Sequence, residues 1–280
     1  MDTGNHVNNV SAQHETAEWI EQLARFGYAA KGIVYGLVGI LAFQAAFNWG
    51  GKVSGSEGTF QTIENQPFGN VLLFLVAVGL IGYVIWRFVQ AIYDPEHDDD
   101  GLGAFARRLS YVASGLIYGS LALAAFRIVF SNGSSSEGNS SSSQQTATLL
   151  SQPFGQWLVG LVGIASAAYG FYCIYRGITV KFRRKLKTYE MSLKEETWAI
   201  NIGRFGLIAK GIVSTIVGYF FVQAARTSDP SQARTTEGAL QAIQQQSFGA
   251  ILMGIVALGL IAYGIHMIVQ ARYRRISPAQ

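Results

Sequence analysis

The decapeptide Arg25-Phe26-Gly27-Tyr28-Ala29-Ala30-Lys31-Gly32-Ile33-Val34 returns as Arg204-Phe205-Gly206-Leu207-Ile208-Ala209-Lys210-Gly211-Ile212-Val213, and each copy opens a long apolar run. A looser version lies between them, Arg108-Leu109-Ser110-Tyr111-Val112-Ala113-Ser114-Gly115-Leu116-Ile117-Tyr118-Gly119, with serine in place of the lysine. A second motif alternates with the first. Gln66-Pro67-Phe68-Gly69, Gln152-Pro153-Phe154-Gly155 and Gln246-Ser247-Phe248-Gly249 each enter an apolar run holding Gly79-Leu80-Ile81-Gly82-Tyr83, Ala165-Ser166-Ala167-Ala168-Tyr169 or Gly259-Leu260-Ile261-Ala262-Tyr263. Self-similarity of this kind marks one structural unit used three times.

Each unit holds two apolar runs, giving six in all: Tyr28 to Phe47, Phe68 to Ile92, Leu109 to Phe130, Phe154 to Ile178, Phe205 to Ala225 and Phe248 to Ala271. A bilayer core of about 30 Å takes about 20 helical residues. Backbone groups in lipid must be bonded within the segment, so runs this long are read as helices. Only 14% of the 280 residues are charged, against about 25% in soluble proteins. The expected fold is therefore all-α, with six transmembrane helices arranged as three helical hairpins. Hairpins of two spans enter the membrane in the same direction, so the repeats are parallel and a pseudo-threefold bundle is expected. The chain divides into a polar tail (1–22), hairpin units (23–93, 107–179 and 201–273), an acidic linker (94–106), a basic linker (180–200) and a short tail (274–280). Met1 to Glu21 lacks the basic start and short apolar core of a cleaved signal, so the first run is expected to stay as a span.

With six spans, both termini share a side with the second and fourth connections. Sorting the 21 Lys and Arg on that topology puts 17 on the terminus side and 4 on the other. The positive-inside rule then places both termini in the cytoplasm, on the inner face of a cytoplasmic (inner) membrane. The net charge of +4 thus reports topology, and no nucleic-acid partner is expected. The lipid bilayer itself is the expected partner. The cluster Lys181, Arg183, Arg184, Lys185 and Lys187 is a candidate contact for anionic headgroups, at about 1 kcal/mol per residue.

The openings at Arg25 to Gly32 and Arg204 to Gly211, the Pro-Phe-Gly entries, and the motif at Gly79 to Tyr83 and Gly259 to Tyr263 together resemble the bacterial membrane proteins of the domain of unknown function 1206 family. The resemblance covers Leu23 to Tyr273. It implies a triplicated two-helix unit in a bacterial membrane and no particular activity. The middle copy departs from it by losing both the lysine and the Gly-Leu pair.

Gly32 and Gly36, Gly115 and Gly119, and more weakly Gly211 with Thr215, have the small-xxx-small spacing that lets helices approach until backbones touch. A conduit lined by these glycines is the lesser alternative. Lys31 and Lys210, with Ser114 at the equivalent place, are the sharpest candidates for function, because an ionisable group within a span is costly. Both lysines lie about a turn and a half inside the cytoplasmic edge, so the expected reading is snorkelling to the headgroups. The alternative is a charge facing a central cavity or an anionic ligand. On the outer side, Ser56 to Ile63 matches Thr236 to Ile243. Each stretch is expected to form one or two helical turns in the membrane interface, with Glu57 or Glu237 at its positive N-terminal end. A cation-attracting outer ring of these glutamates is the alternative. Arg87 beside Trp86 shares the ambiguity of the lysines. Cys173 and His266 are expected to be packing residues, the serine-rich stretch Ser131 to Ser143 a flexible linker, and Asp94 to Asp100 a solvated acidic turn.

No nucleophile elbow, phosphate loop or zinc helix is present, so no catalytic, cofactor or metal site is expected. The excess of packing glycines over intramembrane polar groups favours a non-enzymatic membrane scaffold, or an assembly partner of other membrane proteins. A channel or transporter with a path along the pseudo-threefold axis is the alternative, supported by Lys31 and Lys210.

Overall fold

A computed structural model describes residues 3–93, 102–130, 146–148, 150–152 and 154–275, with the backbone alone at 3–18, 20, 102, 103 and 106. Six long helices carry the apolar runs: α1 (Thr3–Ala46), α3 (Gly69–Tyr93), α4 (Leu102–Phe130), α5 (Gly155–Thr179), α6 (Leu193–Thr227) and α8 (Gly249–Tyr273). Each contains a segment long and apolar enough to cross a membrane. Two short helices, α2 (Ser56–Glu64) and α7 (Thr236–Gln244), precede α3 and α8. The serine-rich stretch and the acidic turn lie outside the described residues. At 1.5 Å per residue α1 is about 66 Å long, so the polar N-terminal segment continues the first span as helix. Helix α6 begins twelve residues before Phe205 and is started by a capping box: Glu195 N–H donates to Ser192 Oγ (3.3 Å), and Ser192 N–H donates to the Glu195 carboxylate (2.8 Å).

The long helices pack in the order α4, α3, α1, α8, α6, α5. The most extensive packing is between units, and it uses one set of repeat positions three times. A Cβ at Gly32 would lie 2.7 Å from the Gly264 carbonyl on α8, and one at Gly211 would lie 2.6 Å from the Gly170 carbonyl on α5. Gly115 occupies the same place against Phe88 of α3, at a looser 3.2 Å. In lipid, where apolar burial gains little, such backbone approach is what holds helices together. Gly36 and Gly119 are used less: a Cβ at Gly36 would meet nothing within 4 Å, and one at Gly119 only a Val84 methyl at 4.0 Å.

Within the first and third units the hairpins close through a second glycine set. Gly27 and Gly206 sit on the backbones of Tyr83 and Tyr263, where a Cβ would come within 2.5 and 2.4 Å of the amide nitrogen. Gly79 and Gly259 likewise receive the Cβ atoms of Ala30 and Ala209, at 2.5 and 2.2 Å from where their own would stand. The middle unit has Ser110 and Ala165 at these places, and α4 and α5 do not pack on one another. Ala30 and Ala209 are 4% and 3% exposed, whereas Ala113, their equivalent, and Ala165 opposite it are both exposed. The six-helix ring therefore has a lateral seam inside its divergent unit.

Both ends of the ring are covered. At one end α2 and α7 turn Phe60 and Ile63, and Leu240 and Ile243, into the protein core. This corrects the expectation of interfacial helices: their apolar faces meet the bundle, because the ring leaves an apolar mouth that they fill. Pro-Phe-Gly and its serine variant turn the chain into α3, α5 and α8 with the phenylalanine left-handed, at φ 62°, 71° and 61° for Phe68, Phe154 and Phe248. Gly69 and Gly249 follow where a Cβ would lie 2.1 and 1.9 Å from the Ile63 and Gln244 carbonyls, and the three phenylalanine rings project outward, exposed. At the opposite end the 180–192 connection lays Phe182 and Leu186 over the bundle, tied by Lys187 N–H donating to Tyr273 O (2.7 Å) and Arg275 N–H to Lys185 O (3.0 Å).

Candidate functional site

Lys31 and Lys210 are 3% and 9% exposed, so neither snorkels; both ammonium groups point into the bundle. The reason is the rotation of α1 and α6: Gly32 and Gly211 must face a neighbouring helix, which carries the preceding lysine inward as well. Lys31 Nζ donates to the Tyr83 hydroxyl (3.1 Å) and lies 4.3 Å from the Tyr118 ring centre and 4.7 Å from that of Tyr83. The Tyr35 and Tyr263 rings stand farther off, at 6.0 and 5.9 Å. Lys210 Nζ is 4.8 Å from the centre of the same Tyr35 ring, which links the two lysines through one aromatic face.

Arg87 completes the group. Its Nε donates to the Tyr83 hydroxyl (2.7 Å), a second guanidinium nitrogen donates to the same oxygen, and a third nitrogen reaches Gln90 Oε1 (2.8 Å). The Tyr83 oxygen thus accepts from Lys31 and Arg87 together. The tyrosines brace one another edge to face, with ring centres at 4.8 Å for Tyr83 and Tyr118, 4.9 Å for Tyr35 and Tyr263, and 5.4 Å for Tyr28 and Tyr83. The Tyr35 and Tyr118 hydroxyls are 3.2 Å apart.

Three basic side chains therefore share one tyrosine cage, and every one of the 17 Asp and Glu of the chain falls outside the six spans. Withdrawing a cation from water costs several kcal/mol. A desolvated cation–π contact returns about 2 kcal/mol and a hydrogen bond to a charged group about 1.5–3 kcal/mol. Rings and phenols of this kind hold the cations in place, but they leave the net positive charge uncompensated. A bound anion would balance it.

The floor of the cage is closed. Trp86, Tyr28, His266 and Phe182 are fully buried at its end nearer the 180–192 connection. His266 Nε2 shares a 2.7 Å hydrogen bond with Gln270, which accepts from Arg274 at 2.9 Å, while Phe182 packs edge-on at 4.9 Å. His266 and the buried Cys173 are thus packing positions. Outward of Lys31, Val38, Ala42, Leu80 and Leu260 join Phe60 and Leu240 in one apolar core.

The remaining expected residues do not enter the cage. Ser114 is half-buried on α4, one turn before Tyr118, which takes the place beneath Lys31. Glu57 and Glu237 lie in the first turns of α2 and α7, where the helix dipole favours them, and Glu237 accepts from Gln241 at 3.3 Å. In the basic cluster, Arg183 pairs with Glu196 (2.6 Å) and Lys187 with Glu190 (3.5 Å), which reduces the charge offered to a membrane surface. Sequence reasoning named Lys31 and Lys210 but not the tyrosines that hold them. The signal was present: Tyr35 and Tyr118 follow Lys31 and Ser114 by one turn, and Tyr83, Tyr169 and Tyr263 are repeat-equivalent.

Fold and site define a multi-pass helical membrane protein built from three copies of a two-helix unit, with a cationic cage inside. A family model, Domain of Unknown Function (DUF1206), matches residues 26–94, 109–180 and 205–274, one match per unit. The chain belongs to that family. It is also 37% identical over 265 residues, 95% of each chain, to Uncharacterized protein YxxB of Bacillus subtilis (strain 168). No solved structure matches it.

Proposed function

We propose that this protein binds an anionic group within the membrane, at the cage formed by Lys31, Arg87 and Lys210. One observation carries the reading: two buried lysines and the half-buried Arg87 share tyrosine partners in spans that contain no carboxylate. The role is binding, and the proposed location is a bacterial cytoplasmic membrane with both termini in the cytoplasm, on the strength of the 17 to 4 distribution of basic residues. The scaffold expectation rested on surplus glycines, but Gly32, Gly211, Gly27 and Gly206 are used against helices of the same chain.

Thermal unfolding of the detergent-solubilised chain at low ionic strength tests the binding reading, with inorganic phosphate as the probe and chloride at equal ionic strength as the control. A ligand at a hundred times its Kd stabilises by about 2.7 kcal/mol. Phosphate is expected to raise the unfolding temperature by several degrees in the native chain and by none in Lys31→Met. Equal shifts in both chains would remove the cage from consideration.

A further inference from the structure

The cage is closed below by Trp86, His266 and Phe182 and above by the apolar core, and beside it the middle unit lacks the zipped hairpin of the other two. There Ser110 and Ala165 replace the glycines that zip the other two hairpins, and α4 and α5 make no extended contact. Tyr169, the α5 equivalent of the buried Tyr83 and Tyr263, is 41% exposed in this seam. Lys31 and Lys210 stay buried, so the seam brings lipid up to the wall of the cage without standing open onto the cations.

We infer that an anionic phospholipid enters between α4 and α5, with its phosphate drawn to Lys31, Arg87 and Lys210 and its acyl chains along the exposed apolar walls. The inference rests on the anion-binding reading and adds to it the source of the anion and its route. Charge complementarity selects the occupant. The cytoplasmic end of the seam has Arg108, exposed on α4, on one lip and Arg176, which lies over the Tyr172 ring at 5.7 Å, on the other. Basic residues at that depth attract anionic headgroups. Farther outward the walls are apolar and exposed, Ile117 on one and Leu161 on the other, which suits acyl chains. A transmembrane helix seated in the same seam would cover these walls and leave the cations without a counter-charge.

The test uses the full chain in mild detergent, offered equal amounts of phosphatidylglycerol and phosphatidylcholine and read by native mass spectrometry. Phosphate-induced thermal stabilisation is measured in parallel. The native chain is expected to retain phosphatidylglycerol over phosphatidylcholine by about tenfold. Ala113→Trp fills the seam from α4, and Ala168→Trp fills it from α5; both positions are exposed, so the substitutions leave the packed interfaces intact. Each is expected to lose the lipid preference while keeping the phosphate shift, because free phosphate is small enough to pass beside a single indole and a phospholipid with its acyl chains is not, whereas Lys31→Met loses both. Undiminished phosphatidylglycerol retention in both tryptophan variants would overturn the seam as the route. Retention unchanged in Lys31→Met as well would overturn the cage itself. A stable dimer dissociated by Ala113→Trp, with no lipid preference in the native chain, would assign the seam to a second copy and overturn the lipid.

Discussion

A single phenolic oxygen, that of Tyr83, accepts hydrogen bonds from both Lys31 and Arg87. Tyr83→Phe keeps the ring and strands two cationic donors, a loss of about 3 kcal/mol since unsatisfied charged groups cost more than neutral ones. Tyr263→Phe, which keeps the edge-to-face contact with Tyr35, is expected to cost under about 1 kcal/mol. Chemical unfolding of the two variants in one detergent measures the difference; equal losses would mean that the hydroxyl of Tyr83 is not the shared acceptor. The presence of Lys31 and Lys210 within spans was legible from the sequence, but their direction was not. On a soluble helix the polar face reveals the buried one. In lipid the outward face is as apolar as the inward one, so Ile33, exposed, and Val34, buried, look alike in sequence. The lysine stems are long enough for either outcome, and only the glycine contacts of α1 and α6 decide between them.

Elements were read more securely than residues. The expected outer boundaries Phe68, Phe154 and Phe248 fall one residue from the observed helix starts at Gly69, Gly155 and Gly249, because the Pro-Phe-Gly turn marks them chemically. The cytoplasmic boundaries of α1 and α6 were read less well, since a helix that continues into water needs no apolar residues. The glycines separate into two kinds that the sequence does not distinguish. Gly206→Ala places a Cβ 2.4 Å from the Tyr263 amide nitrogen, and backbone there has no room to yield, whereas Gly36→Ala meets nothing within 4 Å. Gly206→Ala is expected to abolish monodisperse protein on size-exclusion chromatography, and Gly36→Ala to leave it unchanged. At the start of α6, Ser192→Ala removes the cap from Glu195 N–H and is expected to lower stability by about 1 kcal/mol, measured by the same unfolding experiment.

At the scale of the molecule, three parallel units were legible because the repeats are explicit, while the order of packing was not. Nothing in the spacing of Gly32 and Gly211 says that each meets the preceding unit rather than its own hairpin partner. The seam was foreshadowed by the divergence of the middle copy, but its meaning lay in Ser110 and Ala165, two positions whose importance appears only beside Gly27 and Gly79. Restoring both glycines, Ser110→Gly with Ala165→Gly, is expected to let α4 close on α5. Proximity-dependent cross-linking of cysteines placed at Ile117 and Leu161 should then rise several-fold over the parent pair; an unchanged yield would assign the opening to some other cause. A reporter fused after Gln280 is expected to be active only in the cytoplasm, and activity on the far side would invert the topology. The outward rings of Phe68, Phe154 and Phe248 bear on how the whole assembly sits. Phenylalanine rings have no polar atom to keep in water, so exposed rings belong on the hydrocarbon side of the boundary, and three such points, one from each unit, determine a plane. The bundle thus carries its own spirit level: three turns of similar geometry mark one edge of its apolar belt, and lengthening any one entry by a residue is expected to tip the ring in the bilayer.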